Sequence, residues 1–181
     1  MNQQPFFDFI HTIIPPLPKL LTAGLQYSGL KEYPGTKNNN PAIMSMAREL
    51  KVGSIYPNDE LAWCALFMCY LLYITGKLMP YKSYEILRAS SFITYGEESL
   101  VPMFCDILVF KRPEGYHVAL YIAETDDTFI VYGGNQSNSV GFTEIKKIRL
   151  VVARRYYEIG PPACVKRYFL KSSGIISTDE K

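Results

Sequence analysis

Fourteen consecutive residues, LAWCALFMCYLLYI from Leu61 to Ile74, carry no charged side chain. As a helix this run has no wet face, so other parts of the chain must surround it. It is too short for a membrane span, which needs roughly 18–20 such residues, and its length predicts a buried core helix. The second half of the chain supplies what can pack on it. ILVF, HVALYIA, TFIVY, VGFTEI and IRLVVARRYY are short and rich in β-branched and aromatic residues. Turn clusters at PEG, ETDD and GGNQSNS separate them. Helices followed by a run of strands predict an α+β fold, with an antiparallel sheet of about five to six strands against the apolar helix.

The first half holds the helix signals. Asn40 before Pro41 reads as an N-cap with proline at the first helical position. Ile43, Met46, Ala47 and Leu50 then repeat at helical spacing, and Gly53 is expected to close that helix. Asn58 or Asp59 is the expected cap of the apolar helix, which should end by Gly76. Residues 1–23 read as an N-terminal arm, because IIPPLPK ends any short helix begun at FFDFI. Residues 24–157 read as the domain and 158–181 as a C-terminal appendage.

Composition removes several classes. With 48% hydrophobic and 20% charged residues the chain has material for a core, which excludes a mainly disordered protein. A net charge of +2 without a concentrated basic run argues against nucleic-acid binding. The N-terminus lacks a positive region before its apolar stretch, and Asp8 and His11 interrupt it. Synthesis in the cytoplasm without an ordinary signal peptide is therefore expected. Four cysteines, Cys64, Cys69, Cys105 and Cys164, are then expected to be free thiols. With no CxxC and only His11 and His117, neither a zinc site nor any other metal or cofactor is expected. GLQYSGLK has phosphate-loop spacing, but Leu30 stands where the lysine belongs. No G-x-S-x-G is present for a serine hydrolase.

The constellation that remains is Cys64, His117 and Asn135. Cys64 falls in the first turn of the apolar helix, where the positive helix end should lower its thiol pKa below ~8.5 and first-turn amides can hold an oxyanion. His117 opens HVALYIA, held rigidly as a general base should be. Asn135 follows the next strand-like segment, in TFIVYGGNQ. If the two strands are antiparallel neighbours, it lies beside His117 and can orient the imidazole. Trp63, Tyr116 and Tyr132 flank these three residues and are candidate walls of a substrate groove, with a core role equally open to Trp63. Cys69, Cys105 and Cys164 read as structural, and Glu32, Asn40, Asp59 and Asp106 as caps or turn hydrogen-bonders.

GLKEYPGTKNNNPAI, the D-E-x-x-W-C-A segment ending at Ala65, P-x-x-x-D-I-L-V-F from Pro102, HVALYI and GGNQSN occur in this order over residues 24–157. In these blocks the chain resembles the CHAP and NlpC-type cysteine hydrolases of bacterial cell walls, in their phage-lysin-like branch. The resemblance implies a papain-like fold with Cys64 as nucleophile, His117 as base and Asn135 as the orienting residue. Two positions depart from the family pattern. Cys105 replaces a glycine before Asp106, so an altered turn with Cys105 partly exposed is one expectation. Gly133 stands where many CHAP members have a glutamate. The order Cys before His argues against the permuted acyltransferase branch, in which His comes first.

The implied activity is hydrolysis of a stem-peptide amide in peptidoglycan, by a lysin or by a delivered antibacterial effector. An effector implies a cognate immunity protein as a second partner. The site of action would be the cell wall, reached by non-classical delivery. The alternatives are a non-catalytic wall-binding module on the same fold, and an intracellular cysteine protease or acyltransferase.

Overall fold

The computed structural model describes residues 2–35, 38–80, 83–157 and 159–171. Of the C-terminal appendage, residue 158 and residues 172–181 lie outside the described residues. The fold is α+β. Four helices come first: α1 (Gln4–Thr12), α2 (Lys19–Leu25), α3 (Pro41–Glu49) and α4 (Cys64–Ile74). Two 3-10 turns at Ser83–Leu87 and Ala89–Thr94 lead into the strands. These are β1 (Glu97–Glu98), β2 (Ile107–Arg112), β3 (Gly115–Glu124), β4 (Thr128–Gln136), β5 (Ser139–Lys146) and β6 (Leu150–Arg155). They form one antiparallel sheet in the order β1-β6-β2-β3-β4-β5.

The apolar run is the centre of the molecule. Residues Cys64 to Leu72 of α4 are all buried, as a helix without a polar face requires. One face of the sheet receives α4 through Val118, Leu120, Ile130 and Tyr132, among others. The other face carries a second apolar cluster, including Leu108, Phe110, Ala119, Tyr121, Phe129 and Val131. Strands buried on both faces read as continuous apolar runs, which is why β4 shows no alternation. Gly134 sets how close α4 comes. A Cβ there would stand 2.7 Å from Phe67 Cβ and 2.9 Å from Trp63 Cζ3, so only glycine admits this approach.

Residues of the N-terminal arm take part in the core. Phe6 and Ile10 of α1 are buried, and Phe6 and Phe7 pack on Phe142 of β5. The Gln3 side chain covers the open edge of β5: Oε1 accepts from Phe142 N–H at 2.6 Å and Nε2 donates to Phe142 O at 3.1 Å. That is the pairing a further strand would make. On the C-terminal side, Glu124 N–H donates to Tyr168 O and Leu170 N–H to Glu124 O, both at 2.9 Å.

Three local readings change. Asn40 does cap α3, its Oδ1 accepting from Ala42 N–H at 2.9 Å. The residue that turns the chain after α3 is Lys51, at φ 60°, and not Gly53. Asp59 does not cap α4, whose N-cap position is Trp63 with no side-chain hydrogen bond. Its Oδ2 instead accepts from Tyr33 N–H at 3.0 Å and Asn40 N–H at 2.7 Å, tying the entry loop to the start of α3. Cys105 keeps the left-handed conformation a glycine would adopt, φ 65°, yet is fully buried. Asp106 secures that turn by accepting from Met103 N–H at 2.9 Å and pairing with Arg155 at 2.8 Å.

Candidate active site

Cys64 is the first residue of α4 and only 3% exposed. Backbone N–H groups of Val118, Ala65 and Cys64 itself lie against the thiol and favour its charged form, as does Arg112. Burial opposes them and prevails, so the thiol pKa is raised, not lowered. This reverses the expectation from the helix end alone. The dipole is present, but so is the loss of water around sulfur.

His117 stands in β3 opposite Phe110 of β2 and is fully buried. Val118 and Leu120 face α4 while Ala119 and Tyr121 face the second cluster, so alternation sends His117 out on the side of Ala119. Cys64 therefore meets β3 at the Val118 backbone, one residue from His117, with its helix on the other face. Neither ring nitrogen has a hydrogen-bond partner, so thiol and imidazole are not joined in this state. Burial, with Arg112 and Arg149 adding positive field, lowers the imidazole to about 3. The resting pair is a neutral thiol and a neutral imidazole in a shut site.

β3 and β4 pair as far as Leu120 with Tyr132, and a Cβ on Gly133 would lie 3.0 Å from Ala119 Cβ. Carried two residues further, a regular register would set Asn135 level with His117. At that point β4 leaves regular geometry: Asn135 has φ 56°, and the β4–β5 register shifts between Gly133 and Gln136. No side-chain hydrogen bond links Asn135 to the ring. The residue that acts on the ring is Gln136, whose side chain lies close enough to favour its protonated form, short of a formed hydrogen bond. Sequence reading placed Gln136 in a turn cluster. The true turn is Ser137–Asn138, two left-handed residues that close the hairpin after β4 has run through Gln136.

The flanking aromatics divide. Trp63 is fully buried against Phe67, and its Nε1–H donates to Glu32 Oε2 at 3.1 Å. Tyr132 is also fully buried, its hydroxyl donating to Gly24 O at 2.7 Å and bonded to Ser28 Oγ at 2.8 Å. Both are core side chains in this structure. Tyr116 is partly exposed near the start of β3, with Lys111 Nζ 4.5 Å from its ring centroid. Among the described residues no group of three or more His, Cys, Asp or Glu side chains is placed to hold a metal ion. No described helix is long and apolar enough to cross a membrane. No protein-family model matches the chain, and no curated protein sequence matches it significantly.

Proposed function

We propose that the chain is a cysteine amidohydrolase of the CHAP and NlpC type, acting on a stem-peptide amide of peptidoglycan. The observation that carries this reading is the convergence of three backbone N–H groups on a cysteine at the start of a buried helix, one residue along β3 from the buried histidine. The same amides that lie against sulfur in the resting state are donors for an oxyanion beside it.

In the proposed reaction Cys64 Sγ adds to the amide carbonyl as its proton passes to His117. The C–N bond then breaks, the amine leaves with that proton, and a thioester remains on Cys64. Water, deprotonated by His117, hydrolyses the thioester and returns the thiol. Both side chains are neutral at rest, so proton transfer accompanies attack and no preformed ion pair is required. Because His117 leaves β3 on the face away from α4, the start of β3 must rearrange before thiol and imidazole meet, and catalytic hydrogen bonds commonly tighten only with substrate.

The wall as target is tested by location. Exported behind a secretory signal, the chain should lyse the producing bacterium, and the same fusion with Cys64→Ala should be harmless. Equal toxicity without export, or toxicity surviving Cys64→Ala, would count against a wall hydrolase. A lysin and a delivered effector both fit this reading, the effector alone requiring an immunity protein.

A further inference from the structure

Gln136 is a buried amide with one end fixed and one end open. Its Nε2 donates to Gly133 O at 3.2 Å and also to Gly141 O, so the amide plane is held by two backbone carbonyls of neighbouring strands. Its Oε1 is buried without a hydrogen-bond partner. The Gln136 side chain touches the His117 ring, whose two nitrogens are also buried without formed hydrogen bonds. An acceptor held from behind next to an unbonded imidazole is a complementary pair, because a buried polar group left without a partner forfeits the hydrogen bonds it had to water. The left-handed backbone at Asn135 explains the offset by interrupting the strand one residue before Gln136.

We infer that Gln136, and not Asn135, is the positioning residue for His117. Its Oε1 accepts one ring N–H, which fixes the tautomer and leaves the other nitrogen with its lone pair. The inference rests on the proposed hydrolase reading for its purpose, but its test needs no substrate.

Nitrogen-15 NMR of the full chain resolves the two imidazoles, and His11→Gln removes the signals of the other one. In the otherwise native protein the His117 tautomers should differ by at least ~10:1. The ring N–H should show contacts to the Gln136 side chain. Gln136→Ala should bring the tautomers toward equal population and lower the hydrolysis rate ~10–100-fold with KM nearly unchanged. Asn135→Gly, which suits the left-handed backbone, should leave the tautomer ratio as it was. Ring contacts to Asn135 in place of Gln136, or a ratio that moves with Asn135→Gly and not with Gln136→Ala, would overturn the assignment. If Gln136→Ala fails to fold, the contacts in the protein carrying native Gln136 decide alone. A correct ratio in a protein that cleaves no peptidoglycan would sink the hydrolase reading and leave this one standing.

Discussion

Acidifying the protein from pH 7.5 to pH 5 should remove about 2 kcal/mol of stability through His117 alone. The imidazole is fully buried, so it holds its proton at about 3 in the folded chain against an ordinary 6.5 unfolded. Above 6.5 neither state is protonated and the group is silent. Below 6.5 the unfolded chain binds a proton that the folded chain refuses, so stability falls as pH drops and levels out below about 3. At pH 5 the unfolded imidazole is protonated about thirtyfold over neutral, which corresponds to about 2 kcal/mol. Glu124 does not confuse the window. Despite its own burial, its ion pairs with Arg167 and Lys147 and the Tyr121 hydroxyl hold it at about 2, below an ordinary 4.5, so its contribution is lost only below pH 4.5. Urea unfolding at the two pH values, for the native chain and for His117→Leu, measures the effect. The native chain should lose about 2 kcal/mol more than the variant. Equal losses would mean that His117 is solvated in the folded chain, and the shut site would be wrong.

Two further outcomes follow from the same packing. Iodoacetamide at pH 7 should label Cys64 at least ~10-fold more slowly than free cysteine, since burial raises its thiol pKa and hides the sulfur; rapid labelling of the native chain would contradict a closed resting state. Gly134→Ala should destabilise the fold by about 1–3 kcal/mol, because the new methyl meets Phe67 Cβ at 2.7 Å and α4 must shift; an unchanged unfolding midpoint would show that α4 sits further from β4.

Much of the fold was legible because local chemistry and global packing agree. Within the Leu61–Ile74 run the chain forms the helix α4, buried from Cys64 to Leu72, Asn40 with Pro41 starts α3, and the β-branched segments became strands. What escaped depends on neighbours distant in sequence. Asp59 looked like a helix cap, but Tyr33 and Asn40 compete for it across the entry loop. Gln3 gave no sign that its amide would cover the β5 edge. Cys64 was locatable from its place at a helix start, but its protonation was not, since desolvation by β3 and α4 outweighs the helix dipole. Gln136 was hidden because GGNQSNS reads as one turn. Only the left-handed backbone at Asn135, Ser137 and Asn138 shows that a bulge and a hairpin turn are packed end to end there.

The central claim is that Cys64 cuts an amide of the wall peptide, and mass spectrometry of purified peptidoglycan after incubation with the protein tests it most directly. The native chain should release fragments that have gained one water at a single type of stem-peptide or cross-bridge amide, with glycan bonds intact. Cys64→Ala should release none. An undigested wall, cleavage confined to glycan bonds, or the same fragments from Cys64→Ala would contradict it.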